Sequence, residues 1–274
     1  MKTVWGRVAF ACGVIVALGF SLLPFLWFAA ISLKTPVEII SEPTRFWPSG
    51  TLAAYRSAIV DHNLIRYVAN SLVVALTTTA ASLLVASTAG YAIARFEFTG
   101  RRLLVAAALV AAMSPQIAIA GPVWRILREL GLLNHRLGLV LPHVSLTLPL
   151  SIWLCATFFK ELPVEIEEAA LVDGCGRLGA LVRVVAPVAA PAIFTTAILV
   201  FIFSWNEFFF ALLILSDPEK QTLPLGIALF PGQYTMPWAE IAAASVFATL
   251  PLILVVLLFQ RRIVHGLAAG AIKG

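Results

Sequence analysis

Several uninterrupted apolar runs, each about as long as a lipid hydrocarbon core is thick, constrain this chain more than any other feature. Crossing roughly 30 Å of hydrocarbon takes about 20 residues of helix. Windows of that length place spans near 8–31, 66–90, 103–121, 137–159, 188–215 and 239–260. Transmembrane strands would alternate apolar and polar residues over about ten positions, whereas these runs are continuous. With 61% hydrophobic and 12% charged residues among 274, a water-soluble domain with a charged surface is excluded. The expected fold class is an all-α membrane protein, a single transmembrane domain over 1–274 with about six transmembrane helices. Lys2 and Arg7 precede the first run as they would in a signal peptide. That run is longer than a usual signal-peptide core, so an uncleaved helix is expected.

Six spans put both termini on one side. The tight link from Arg95 to Arg102 is short and basic, which places it in the cytoplasm. The N-terminus, the 160–187 link and the tail at 261–274 then also face the cytoplasm in a multi-pass membrane protein. The net charge of +5 is scattered through short links rather than gathered in a patch, so nucleic acid is not the partner. Cys12, Cys155 and Cys175 show no disulfide framework or metal-ligand spacing and read as packing residues.

Small and polar residues crowd the second span, from Thr77 to Gly90, as they do where helices pack closely in lipid. Ser114-Pro115-Gln116 breaks the third span, and Pro142 and Pro149 the fourth. A proline at membrane depth frees a carbonyl that must find a partner, which fits either a water-accessible pathway or a simple kink. From Pro122 to Leu133, Trp124, Leu127 and Leu130 lie opposite Arg125, Arg128 and Glu129, the spacing of a short helix on the outer membrane surface.

The least expected stretch is the acidic link at 161–187. Pro163 suits a first helical turn, and Glu165, Glu167 and Glu168 complement the helix dipole there. Gly174 ends this helix, and Asp173 is placed to cap a second one from about Arg177 to Val185. The pattern reads as helix, glycine turn and helix at the membrane surface; an acidic solvated loop is the plainer alternative.

Glu168-Ala169-Ala170, three residues, Gly174, nine residues, then Val184-x-Ala186-Pro187 resembles the EAA motif of ABC-importer permeases. Val184 and Ala186 stand where Ile and Leu are usual. Ser204 to Ala211, Gly266 to Gly274 and the stretch from Met113 to Asn134 are similar to segments of the carbohydrate permeases of the maltose-transporter, MalG-like family. The resemblance implies a permease subunit of a binding-protein-dependent, ATP-driven sugar importer, forming half of a translocation pathway. It implies a cytoplasmic coupling helix that docks on a separate ATPase dimer, with Glu168 and Asp173 in polar contact, Ala169 and Ala170 at close approach and Gly174 at the turn. Gly270, Lys273 and Gly274 match a tail that reaches the ATPase. Partners implied are a second permease, the ATPase, an extracytoplasmic solute-binding protein, lipid and the carbohydrate substrate. The chain itself would carry no cofactor, ATP and Mg being bound by the ATPase.

Independently of that resemblance, no lysine follows a glycine in this chain, so no phosphate-binding loop of the Gly-Lys-Ser/Thr kind is present. His62, His135, His143 and His265 lack HExxH spacing, and there is no G-x-S-x-G elbow; no enzyme is expected. Asn206 and Glu207 are the candidate pathway residues, because a carboxylate inside an apolar span must face the bundle interior or water. Glu207 lies near the outer interface by helix length, where it lines the pathway or pairs with a neighbouring helix. The alternative function is an ion-coupled secondary transporter of a small polar solute, which would show internal repeats and midplane charges; a receptor or scaffold is the third reading.

Overall fold

A computed structural model describes residues 4–230 and 236–271. The described chain is helical throughout. In order, its helices are α1 (Val4–Ser32), α2 (Pro36–Ser41), α3 (Ala53–Val60), α4 (Leu64–Arg95), α5 (Arg101–Ala112), α6 (Gln116–Glu129), α7 (Val140–Glu161), α8 (Val164–Val172), α9 (Arg177–Ala180), α10 (Ala186–Val188), α11 (Ala190–Asn206), α12 (Phe209–Ile214), α13 (Leu223–Ala228) and α14 (Trp238–Ala271). A wide π turn at Leu181–Val185 joins α9 to α10, and tight 3-10 turns lie at Arg136–Leu139 and Pro218–Lys220.

Four helical segments among the described residues are long and apolar enough to cross a membrane: Gly6–Ser32, Leu64–Arg95, Arg136–Glu161 and Trp238–Phe259. Two bent pairs bring the number to six if each counts as one span. In the first pair, α5 and α6 meet at 96°. The reason is local: the N–H groups of Met113 and Ser114 turn back to carbonyls three residues earlier, and Pro115 sits extended at the start of α6. A helix restarts most easily after a residue that has no N–H to satisfy. The outer-surface helix expected at 122–133 thus begins at Gln116 and takes Pro122 into its interior. In the second pair, α10 and α11 meet at 83° across Ala189, between Pro187 and Pro191.

The contacts divide the chain into two units, residues 1–66 with 226–251 and residues 67–225 with 252–274. In the first unit, Ala54, Ala239 and Ala243 form a small-residue core. Lys34 is buried there, 5.4 Å from the Trp27 ring, with its ammonium 3.4 Å from the carbonyls of Glu42 and Pro43. Along α1, Cys12 is exposed, so the packing role expected of it is not seen within the chain; Cys155 is buried.

The second unit has two cores. One gathers Val74, Leu127, Leu139, Phe210, Ile214 and Leu225. The other gathers Ala86, Tyr91, Cys155, Phe159, Leu181 and Val185, joining α4, α7 and the π turn. The small residues of the second span explain how α4 and α7 come so close. A Cβ on Gly90 would stand 2.7 Å from Cys155 Cβ and 2.9 Å from the Ala156 nitrogen, so only glycine fits. One further contact ties the same two helices, the Ser82 and Thr147 hydroxyls at 2.9 Å.

Candidate functional site

The acidic link folds as helix, turn and helix. Leu162 and Pro163 are both extended, with ψ near 135° and 133°, so the helical path of α7 is broken before α8 starts. At the other end, the Gly174 N–H donates to Leu171 O at 3.1 Å and the Cys175 N–H to Ala170 O at 3.0 Å. With Gly174 at φ +87°, this is a Schellman closure, which needs a left-handed residue just past the helix. Asp173 closes α8 rather than capping α9; the residue before α9 is Gly176, with no side-chain cap.

α8 has two faces. Glu167 and Ala170 are buried, while Val164, Glu165, Glu168, Ala169, Val172 and Asp173 are exposed. Val172 is 86% exposed. The exposed positions recur at the helical period, so they form one continuous stripe. Of the motif residues, Glu168, Ala169, Asp173 and Gly174 lie on or beside that stripe, and Ala170 faces inward.

Glu167 is what holds the other face. Its carboxylate accepts from the Tyr91 hydroxyl at 2.5 Å and lies 2.8 Å from Arg95 Nε. The Arg95 and Glu167 side chains are only 7% and 4% exposed. The Nε approach is off the N–H axis, so it is an ion pair rather than a hydrogen bond. Arg95 also donates to the Leu162 carbonyl at 3.2 Å, and the Tyr91 hydroxyl lies 3.5 Å from the carbonyl of Arg177. The Arg177 guanidinium covers the Phe96 ring at 4.8 Å. Removing one member of such a pair strands a buried charge, at a cost of about 3–5 kcal/mol.

Sequence reasoning assigned Glu167 to the helix dipole and missed Tyr91 and Arg95. The available signal was spacing: Tyr91 and Arg95 are four residues apart, on one face of α4, and Glu167 falls on the Ala170 face of α8.

Glu207 and Asn206 lie at a second break. The helix stops at Asn206, Glu207 is extended, and α12 begins two residues later. The Glu207 carboxylate accepts from the N–H groups of Phe210 at 2.8 Å and Ala211 at 3.3 Å, which start α12. It also lies 3.1 Å from His143 Nε2 on α7, and His143 Nδ1 is 2.8 Å from the Ser204 hydroxyl. All three side chains are buried. Asn206 points the other way, exposed, and bonds the Ile202 carbonyl of its own helix at 2.8 Å. A cavity of 80 Å³ between α7 and α11 is lined by Thr147, Ser151, Thr196 and apolar neighbours.

Two more polar clusters fasten the segment after α12. Asn134 Oδ1 accepts from the N–H groups of Ser216 and Asp217. The Asn70 amide donates to the carbonyls of Glu219 and Gln221 at 3.0 and 2.8 Å, Arg136 donates to Asn70 Oδ1 at 2.7 Å, and the Leu223 N–H donates to the Ser71 hydroxyl at 2.8 Å. Among the described residues no group of His, Cys, Asp and Glu is arranged to hold a metal ion. In the tail, Gly270 falls on the backbone of α14, and Lys273 and Gly274 lie outside the described residues.

Residues 82–268 match the family described as the binding-protein-dependent transport system inner membrane component. The chain is 40% identical to the trehalose/maltose transport system permease protein MalG of Thermococcus litoralis, over 98% of this chain and 97% of that one. It is 39% identical to the sulfoquinovosyl glycerol transport system permease protein SmoH of Agrobacterium fabrum, over 92% and 89%. Identity to the trehalose transport system permease protein SugB of Mycobacterium tuberculosis is 40%, over 94% and 95%. In fold it is similar to a chain from the crystal structure of a bacterial ABC transporter involved in import of the acidic polysaccharide alginate. The TM-score is 0.79 at 23% identity, covering 95% of this chain and 96% of that one.

Proposed function

The chain belongs to the family of binding-protein-dependent transport system inner membrane components, and from that premise we propose that it passes a small carbohydrate through a shared pathway under the control of α8. It is a multi-pass inner-membrane permease subunit of an ABC importer. ATP hydrolysis belongs to the ATPase subunit, so this chain is not an enzyme, and its family carries no cofactor of its own. That membership answers the ion-coupled alternative, since the energy comes from the partner.

The exposed stripe of α8 carries the proposal. Glu165, Glu168 and Asp173 offer carboxylates to a basic groove on the ATPase, Ala169 lets the backbones approach, and Val164 and Val172 supply apolar contact. The α8 side of the membrane is then the cytoplasm, with both termini there. Gly270, Lys273 and Gly274 would add a second contact with the ATPase. A second permease subunit completes the pathway, with Asn206 and Glu207 near its outer end. The substrate class follows the names of the relatives, which transport trehalose, maltose and a glycosyl glycerol; a disaccharide or a glycosyl glycerol is the proposed cargo.

The test co-expresses the chain with its partner permease and ATPase, and measures co-purification and hydrolysis stimulated by a sugar-loaded binding protein. The unaltered chain should hold the ATPase and respond to loaded binding protein. Gly174→Asp puts a side chain at φ +87° and should tilt α8, lowering co-purification severalfold while membrane insertion stays normal. Unchanged assembly and hydrolysis in that variant would remove α8 from the coupling role.

A further inference from the structure

We infer that Tyr91 and Arg95 are positioning residues that make α4, rather than the covalent chain, the strut through which movement of α8 reaches the far side of the subunit. The inference rests on the coupling role proposed for α8.

The covalent connections of α8 are poor levers. Leu162 and Pro163 are extended before it, and the turn from Asp173 to Gly176 follows it. A helix joined at both ends by non-helical backbone can swing without carrying its neighbours along. Side chains from the last turn of α4 bridge both joints. Arg95 reaches the Leu162 carbonyl just ahead of α8, Arg95 and Tyr91 together hold Glu167 in its middle, and Tyr91 lies against the Arg177 carbonyl just beyond it. The entrance and the middle of the link are thus fixed to one helix, the middle by a buried ion pair, and the exit lies against the same helix.

α4 is a single unbroken helix of 32 residues. From Arg95 to Asn70 it runs roughly 37 Å at 1.5 Å per residue. At that far end Asn70 and Ser71 hold the 219–223 segment by three hydrogen bonds, and Arg136 locks the Asn70 amide. One rigid element is therefore bonded to the docking link at one end and to the segment expected on the outer side at the other. A rigid element bonded at both ends is one physical route by which distant sites couple.

Two variants test this in a reconstituted importer with its ATPase and sugar-loaded binding protein: Tyr91→Phe, and the double Arg95→Met, Glu167→Met, which leaves no lone buried charge. Three quantities are read: ATPase co-purification, hydrolysis, and sugar transported per ATP hydrolysed. The expected result is retained co-purification with transport per ATP reduced on the order of tenfold, and a milder reduction for Tyr91→Phe. A solely structural role lowers co-purification, hydrolysis and transport together and leaves the sugar transported per ATP unchanged; that result overturns the inference, as does unchanged transport per ATP in well-assembled Tyr91→Phe. Failure of the coupling role itself shows separately, because Gly174→Asp then leaves co-purification and hydrolysis unchanged, and the inference falls with it.

Discussion

A carboxylate inside an apolar stretch singles out Glu207 in the sequence itself, and what it does there follows from its partners. The two N–H groups at the start of α12 and the His143 ring converge on one side chain, so Glu207 substitutes for the hydrogen bonds that the broken helix loses. Glu207→Ala leaves those donors buried without an acceptor, at about 1–3 kcal/mol for each unmet group. The thermal unfolding midpoint of the detergent-purified chain should fall clearly, with Glu207→Gln intermediate because the amide oxygen still accepts. An unchanged midpoint would mean that water serves these donors and that the site is open. At this scale the sequence is half legible. An acid in an apolar span draws attention through the cost of burying it, but His143 is 64 residues away and reads as any core histidine. The same holds for Glu167: three glutamates in four residues look like one solvated face, and only the fold turns the middle one toward Arg95.

Elements are legible where a local rule sets them. Gly174 ends α8 because the closure needs a left-handed residue, and the prolines at 115, 187 and 191 mark the bends because each lacks an N–H. The angles of those bends are not legible, since they depend on what each half packs against. α2 escapes a reading by periodicity because its six residues are too few to show any. It is made by a capping box, in which the Thr35 N–H donates to the Glu38 carboxylate at 2.8 Å and the Glu38 N–H to Thr35 Oγ1 at 3.3 Å. The Thr35 N–H, followed by the Ser49 hydroxyl, holds the Glu38 carboxyl below its ordinary value of 4.5. A carboxyl depressed in the folded chain stabilises fully above its ordinary value and stops doing so as pH falls through the lower, folded value. Hydrogen exchange over 36–41, corrected for intrinsic rates, should thus show more protection in the unaltered chain than in Glu38→Gln at neutral pH. The difference should vanish in acid below the folded value; a difference that persists there would mean that charge is not what holds the cap.

Across the whole molecule, the buried hydroxyls of Ser82, Thr147, Ser151 and Thr196 and the His143 ring bond their own backbone or fasten one helix to another. In the α7–α11 cavity the Thr147, Ser151 and Thr196 hydroxyls each donate to a carbonyl four residues earlier in the same helix, which leaves them little to offer a sugar. On the proposed role, a sugar travels between this chain and a second permease, and its identity is read mainly by the binding protein. The prediction is that Ser151→Ala and Thr196→Val change the apparent KM for transport by less than about twofold, since each removes a hydroxyl already bonded to its own helix. Exchanging the binding protein for one with another sugar should instead change which sugar stimulates hydrolysis. Competition between trehalose and maltose in proteoliposomes checks both halves: a specificity that follows the hydroxyl variants and ignores the binding protein would place recognition inside this subunit.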